Sequence, residues 1–276
     1  MKNNLHKILL LGLPFALPSA VMSTTVFEDG FSDRPVQDSV STPGSYPDYY
    51  QTVDPATNLA DVSLVSQNSP DVFGGGADYL RMTDQDSGDG LQIRGRFLNP
   101  DESQANLGSG QMSLRFQLPN VTYATSFHAM ELSLISQSSV SNTWDIQIRN
   151  NSIRSDSSTT LASLSQDTIY ELDLVFNNSG SSIGYAGETL DSGNIHIWLN
   201  GALETPGSGV LADISGSPTT FNQFSLSSGN ASSIVLDLDN LLVSDTITVV
   251  PEASSFSLIA GTLALAGTCL IRRRRR

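Results

Sequence analysis

The sequence predicts an all-β fold, an antiparallel β-sandwich of two packed sheets that spans residues 24–246. Short segments in which apolar and polar residues alternate recur along this region. Clusters rich in Gly, Asn, Asp and Ser separate the segments, and no apolar repeat of 3.6 residues is sustained. Antiparallel strands with one face on a core and one in water give such alternation, and many of them in one domain imply two sheets.

Nine segments carry the clearest strand pattern. They are 79–82, 91–97, 112–118, 129–136, 143–149, 170–176, 195–199, 221–226 and 234–243. Asn200-Gly201 follows one of them directly and is the strongest hairpin signal in the chain. Since no long linker or internal repeat interrupts residues 24–246, a single domain is expected.

Residues 1–23 have the pattern of a cleaved signal peptide. Basic residues precede an apolar run at 8–13, which is too short to cross a bilayer. Val21 and Ser23 suit the −3 and −1 positions of signal peptidase, so cleavage is expected after Ser23.

The region between the two ends is strongly acidic. Seven arginines face 27 aspartates and glutamates there, because both lysines and the other five arginines lie in the terminal segments. The resulting net charge of about −20 repels nucleic acid and anionic lipid, so no nucleic-acid partner is expected.

Residues 247–276 form a three-part tail. It consists of the box Val250, Pro251, Glu252 and Ala253, an apolar segment at 256–271, and the cluster Arg272, Arg273, Arg274, Arg275 and Arg276. Sixteen helical residues span about 24 Å, near the roughly 30 Å of a hydrocarbon core. The arginines would hold the C-terminus in the cytoplasm and leave the domain outside.

This tail resembles the PEP-CTERM sorting signal, in which an exosortase of the inner membrane recognises a Pro-Glu-Pro box. Ala253 stands where that box has its second proline. The resemblance implies a precursor anchored in the inner membrane and a mature domain at the cell surface or in the extracellular matrix. An ordinary C-terminal anchor that is never cut is the alternative.

The order of strand segments resembles laminin-G/concanavalin-like jelly-roll domains. The resemblance rests on the segments 26–33, 170–176, 195–201 and 236–244. Such domains include carbohydrate binders, hydrolases and plain spacers, so the resemblance implies a fold and leaves the function open.

In many calcium-bearing jelly rolls, an acidic residue of the first strand and one of the last share a structural ion. The residues in matching places are Glu28, Asp29, Asp237 and Asp239. Alternation puts Asp237 and Asp239 on one face, where their repulsion must be relieved by a cation or by solvent. The acidic loop 83–90 is a second candidate for calcium, against a simple solvated turn. With one cysteine and three histidines, the chain offers no Cys- or His-based metal centre.

Aromatic side chains can stack on sugar rings, and the best exposed candidates are Tyr46, Tyr49 and Tyr50. Trp144 and Trp198 lie in alternating strands, where core packing is the favoured role. Glu171-Leu172-Asp173 lacks the further glutamate of the Glu-x-Asp-x-x-Glu pattern that concanavalin-type hydrolases carry, so no catalytic set is assigned.

The favoured interpretation is an exported, non-enzymatic surface or extracellular-matrix protein with a structural or adhesive role. A lectin-like carbohydrate-binding module is the alternative, and a polysaccharide-active enzyme is the weaker one. The expected partners are signal peptidase, exosortase, the inner membrane and extracellular polysaccharide, and Ca²⁺ is the only cofactor that the pattern suggests.

Overall fold

The computed structural model describes most of the predicted domain. The described residues are 24–29, 49–53, 62–67, 70–74, 78–84, 91–121, 129–136, 144–155, 159–204, 220–228 and 234–248. The signal peptide 1–23, the box 250–253, the apolar segment 256–271 and the cluster 272–276 lie outside them, so these stay predictions. Within the described ranges, no helix has the length and apolar character needed to cross a membrane.

The described residues form seventeen strands. They are β1 Thr25–Asp29, β2 Tyr49–Val53, β3 Val62–Gln67, β4 Tyr79–Asp84, β5 Leu91–Arg96, β6 Ser109–Gln117, β7 Ala129–Ile135, β8 Trp144–Arg149, β9 Ser152–Ser155, β10 Thr159–Ser163, β11 Ile169–Asn177, β12 Ile183–Tyr185, β13 Glu188–Leu190, β14 Asn194–Leu199, β15 Ala202–Leu203, β16 Gln223–Ser228 and β17 Ile234–Ser244.

These strands build two large sheets and a small hairpin. The eight-stranded sheet has the order β15-β14-β11-β6-β17-β4-β3, with β1 also paired to β17. The seven-stranded sheet has the order β10-β9-β8-β7-β16-β5-β2, and β12 pairs with β13. Strands of both sheets contribute to one cluster of buried apolar side chains, so the prediction of an all-β, antiparallel sandwich is confirmed.

All nine predicted segments correspond to strands, and the Asn200-Gly201 turn joins β14 to β15. Asn200 and Gly201 have φ of 52° and 77°, which is the backbone that a tight two-residue hairpin turn requires. The strands that alternation did not predict are β1, which only the jelly-roll resemblance indicated, and β2, β3, β9, β10, β12, β13 and β15. Most of them are short or lie toward a sheet edge, where backbone pairing demands little of the side chains.

Strand β17 organises the eight-stranded sheet. Its first half pairs with β4, its second half pairs with β1, and β6 runs along its other side. Leu236 and Leu238 point into the main core, so Asp237 and Asp239 point to the opposite face. We call that opposite face of the eight-stranded sheet the outer face.

Candidate functional site

A cleft of about 360 Å³ lies on the outer face, where β1, β6, β11 and β17 meet. Its polar lining consists of Glu28, Ser113, Arg115, Glu171, Asp173 and Asn240. Alternation explains this set on β6 and β11, because the leucines between these residues point into the main core.

Strand register brings the cleft residues together. Ser113 pairs with Asp173, and Arg115 pairs with Glu171, along the neighbouring strands β6 and β11. A register shift in β17 between Asp239 and Leu242 forms a bulge, within which Asn240 is exposed and has a φ of 51°. Such a bulge turns an additional side chain toward the surface, which places Asn240 at the rim of the cleft.

Asp173 is fixed by two donors from β6. Ser113 Oγ and Gln111 Nε2 donate to Asp173 Oδ1 over 2.5 and 2.8 Å. Gln111 is itself held, since its Oε1 accepts the backbone N–H of Thr248 over 2.6 Å. Both donors use Oδ1, so Oδ2 keeps its capacity to accept a hydrogen bond from a ligand.

Arg115 is fixed from the other side of the cleft. Its Nη1 donates to Asp239 Oδ2 over 3.1 Å, its Nη2 donates to the carbonyl of Phe73 over 3.4 Å, and its guanidinium lies 5.2 Å from the Phe73 ring centroid. Burial raises the pKa of Asp239 above its ordinary value, and the adjacent Arg115 opposes that shift. Because Asp239 matches the charge of Arg115, the carboxylates of the lining give the cleft an excess of negative charge.

The four residues predicted to bind calcium are only partly gathered. Asp237 and Asp239 share the outer face, as alternation predicted. Arg81 donates from Nε and Nη2 to both oxygens of Asp237 over 2.6 Å, and Arg115 pairs with Asp239. Glu28 lines the cleft, while the side chain of Asp29 lies outside the described part of the structure.

Arginine therefore relieves the repulsion that the sequence reasoning assigned to a cation or to solvent. The bound carboxylate of Asp237 raises the pKa of Arg81, while burial raises the pKa of Asp237 and Arg81 opposes that shift. Within the described ranges, no three Asp, Glu, His or Cys side chains gather to hold a metal ion. Calcium binding stays a prediction.

Of the tyrosines predicted to bind a ligand, the structure places only the backbone of Tyr49 and Tyr50. Tyr49 and Tyr50 belong to β2 and pair with Gly95 and Arg94 in the seven-stranded sheet, whereas the cleft lies on the other sheet. Their side chains and the whole of Tyr46 lie outside what the structure describes. The packing role expected of Trp144 and Trp198 is confirmed, since both are buried.

Sequence reasoning missed the cleft because its members come from four strands that are distant in the chain. In the sequence, Glu171 and Asp173 form only an incomplete hydrolase motif. A usable signal was present nonetheless, since charged residues repeat every second position beside leucines at Arg115, Glu171 and Asp173. That pattern marks a polar sheet face, but it does not say which strands are neighbours.

No protein-family model matches this chain, and no curated protein matches it. Among solved structures, the cellulose-induced protein Cip1 is similar at 11% identity, covering 72% of this chain and 93% of that one, with a TM-score of 0.46. A carbohydrate esterase of the Shiga toxin-encoding bacteriophage phi24B is similar at 11% identity, covering 80% and 98%, with a TM-score of 0.45.

A sialidase is similar at 10% identity over 79% of this chain, with a TM-score of 0.44. The chain spans only 20% of that sialidase's length. At such identities and TM-scores, none of these likenesses carries an argument about ligand or activity.

Proposed function

We propose that this chain is an exported, non-enzymatic surface protein of structural or adhesive role, and that its β-sandwich binds extracellular polysaccharide at the cleft. The observation that carries the binding proposal is the cleft itself, which has six polar side chains around about 360 Å³. This volume falls within the roughly 300–1,000 Å³ typical of small-molecule sites.

The chemistry of the lining favours a ligand rich in hydroxyl groups. Glu28, Glu171 and Asp173 supply carboxylate acceptors, and Asn240 can both donate and accept. A sugar hydroxyl that donates to a carboxylate forms a charge-assisted hydrogen bond, which is stronger than a neutral one. The fixed position of Asp173 also reduces the entropy that is lost when a ligand binds.

The charge of the cleft narrows the class of sugar. Arg115 is already paired with Asp239 and does not offset the carboxylates of Glu28, Glu171 and Asp173. Uronic acids and sulfated sugars would be repelled by this excess of negative charge, while uncharged and amine-bearing sugars would be accepted. The proposed ligand is therefore a neutral or amino-sugar polysaccharide.

Binding is tested with the full chain purified in detergent, on arrays of neutral, amine-bearing and uronic oligosaccharides followed by calorimetry. Asp173→Asn is expected to weaken binding about tenfold, because it removes a charged acceptor. Glu102→Gln is the matched control, since Glu102 is exposed and lies outside the cleft. Equal affinity of wild type and Asp173→Asn, or preference for uronic sugars, would contradict the proposal.

The same experiment decides between binding and cleavage. A polysaccharide-active enzyme would release new reducing ends from the bound sugar, and a single carboxylate change would abolish that release. A second set of variants, Tyr49→Ala and Tyr50→Ala, addresses the tyrosines predicted from the sequence. Loss of binding in these variants alone would move the site to the seven-stranded sheet.

The sorting proposal is independent of the ligand. It is supported by the coincidence of the box 250–253, the apolar segment 256–271 and the cluster 272–276, and the export proposal is supported by the signal-like residues 1–23. The assignment of the sandwich as a jelly roll is a separate part of the proposed function, and the experiment that follows tests only sorting and export. Intact mass after fractionation of the native host tests it: we expect a species that begins near Thr24 and ends near Pro251, outside the inner membrane. A species that retains Arg276 in the inner membrane would leave a simple tail-anchored protein.

A further inference from the structure

The hairpin formed by β12 and β13 covers a second, smaller apolar cluster on the outer face. Val175, Leu190 and Trp198 form the buried centre of this cluster, and Ile183 and Tyr185 of the hairpin pack against it. Ala186 and Gly187 turn the hairpin with φ of 47° and 87°. The main core lies on the other side of the sheet, so the hairpin acts as a separate cover.

A chain of hydrogen bonds fastens this cover to β14. The indole Nε1 of Trp198 donates to the hydroxyl oxygen of Tyr185 over 3.0 Å. The same hydroxyl lies 2.6 Å from Nδ1 of His196. Three side chains thus meet at one oxygen, on the face of the sheet that carries the cleft.

The bonds at the Tyr185 oxygen are best completed by one protonation state of His196. An indole N–H can only donate, so the oxygen of Tyr185 accepts from Trp198. When the His196 ring is neutral with its hydrogen on Nε2, the tautomer that we assign, the single proton of the hydroxyl is donated to Nδ1. Burial raises the pKa of Tyr185 to about 12, so the hydroxyl keeps this proton at any physiological pH. With this assignment, the neutral imidazole gives both the indole N–H and the hydroxyl proton an acceptor.

Protonation of His196 removes the acceptor from this arrangement. An imidazolium Nδ1–H would point at a hydroxyl that already receives the Trp198 N–H, and the proton of Tyr185 would lose its partner. Burial lowers the pKa of His196 from its ordinary value, which is the direction expected for an environment that favours the neutral ring.

Few charged groups near His196 are placed to stabilise its protonated, imidazolium form. Glu188 of β13 is exposed and opposes the lowering of the pKa. On β11, the residue opposite His196 is Val175. Asp173 lies two pairs further along, opposite Trp198, and Ser113 and Gln111 already donate to it. Asp191, which follows β13, accepts from Ser182. Glu204 follows β15, and its backbone N–H donates to the carbonyl of Ile197.

We propose that the β12–β13 hairpin is a pH-sensitive cover, closed by Tyr185 on neutral His196 and released when His196 takes up a proton. The stabilising contact is present above the ordinary titration range of histidine and is lost as the pH falls through the value of the folded state. Release exposes the indole of Trp198, which pairs across the sheet with Asp173 of the cleft. If the proposed function holds, acid conditions thereby add an aromatic stacking surface to the sugar site.

The test uses no sugar, so its result is separate from that of the proposed function. Amide hydrogen exchange of residues 183–190 is measured in the full chain at pH 7.5 and 4.5, with rates corrected for intrinsic pH dependence. Acrylamide quenching of tryptophan fluorescence is measured in parallel. We expect protection of the hairpin to fall at least tenfold at pH 4.5 and quenching to rise, while residues 152–155 keep their protection.

Three variants distinguish loss of the Tyr185–His196 contact from a general loosening of the hairpin. His196→Asn places an amide near the position of Nδ1 that cannot take up a proton, so the pH dependence should disappear. Tyr185→Phe should leave the hairpin poorly protected at both pH values. Tyr170→Phe removes a hydroxyl that accepts the N–H of Ser165 over 2.7 Å, away from the hairpin, and should keep the wild-type response. Hairpin protection that does not change with pH, or an unchanged response in His196→Asn, would overturn the proposal.

Discussion

The ring of Phe27 packs edge-on against the ring of Phe224, with 4.8 Å between the ring centroids and 77° between the ring planes. Phe27 lies in β1 of the eight-stranded sheet and Phe224 in β16 of the seven-stranded sheet, so this contact joins the two layers of the sandwich. The rings fit because position 95, in the neighbouring strand β5, has no side chain. A Cβ at Gly95 would lie 2.1 Å from Cε1 of Phe224 and 2.7 Å from Cε2 of Phe27.

Gly95→Ala should therefore destabilise the fold. Overpacking of a tight core usually costs about 1–3 kcal/mol, and displacement of two rings at once places this site at the upper end. The measurement is the free energy of unfolding in urea. Gly184→Ala is the control, because the nearest atom to its added Cβ is 3.9 Å away. Equal urea midpoints for Gly95→Ala and Gly184→Ala would contradict this prediction, because they would show that the two sheets can move apart around position 95 at no cost in stability.

The Arg81–Asp237 pair makes a second prediction. The side chain of Asp237 is fully buried and that of Arg81 is 27% exposed, so removal of the carboxylate leaves a half-buried cation without its partner. Asp237→Leu should cost about 3 kcal/mol, while the double variant Arg81→Met/Asp237→Leu should recover most of that loss. A double-mutant cycle in urea measures the coupling, and a coupling below about 0.5 kcal/mol would contradict this account.

The pH dependence of stability should report on Glu131 of β7. Burial, together with the hydrogen bond and the negative charge of Asp145, raises the pKa of Glu131 from 4.5 to about 7. The folded state then binds this proton more tightly than the unfolded state does. The contribution of Glu131 to the free energy of unfolding is fully present below its unfolded-state pKa and is lost as the pH rises through about 7.

Because Glu131 is only half-buried and solvent screens the effect, we expect a loss of about 1–2 kcal/mol between pH 5 and pH 8. Urea unfolding at several pH values measures it, and Glu131→Gln should remove this part of the pH dependence. Glu102→Gln, at an exposed position, should leave it unchanged. Stability that instead rises over this range in wild type, and equally in Glu131→Gln, would contradict the assignment.

A chelation experiment distinguishes calcium from the two arginines as the groups that neutralise Asp237 and Asp239. An ion bound only by the folded state raises the melting temperature, so excess chelator should lower it if Glu28, Asp29, Asp237 and Asp239 hold calcium. Differential scanning calorimetry of the full chain with calcium and with chelator measures the shift. A melting temperature that is identical in both solutions would leave Arg81 and Arg115 as the compensating charges of Asp237 and Asp239.

The fold was largely predictable because alternation is a local property of each strand. The segments 112–118 and 170–176 are long and regular, and both appear as central strands of the eight-stranded sheet. The hairpin β12–β13 was not predictable, because each of its strands has three residues and shows little alternation. Its position depends on packing over Trp198, which a local pattern does not contain.

The candidate site was less predictable than the fold. Alternation correctly put Asp237 and Asp239 on one face, yet it could not say that Arg81 and Arg115 stand beside them, since these lie 156 and 124 residues away in sequence. The cleft likewise depends on the register of β6 with β11 and on the bulge at Asn240. Both are decided by which strands pair, a property of the whole chain.

By itself, the sequence determined the all-β class, the alternation of core and outer faces, the turn at Asn200-Gly201 and the acidic character of the domain, because each depends on residue type over a few neighbouring positions. Only the tertiary structure decided which charges compensate one another, where the cleft lies and how Tyr185 meets His196 and Trp198. These relationships arise from strand order and register, which bring together side chains that are far apart in the chain.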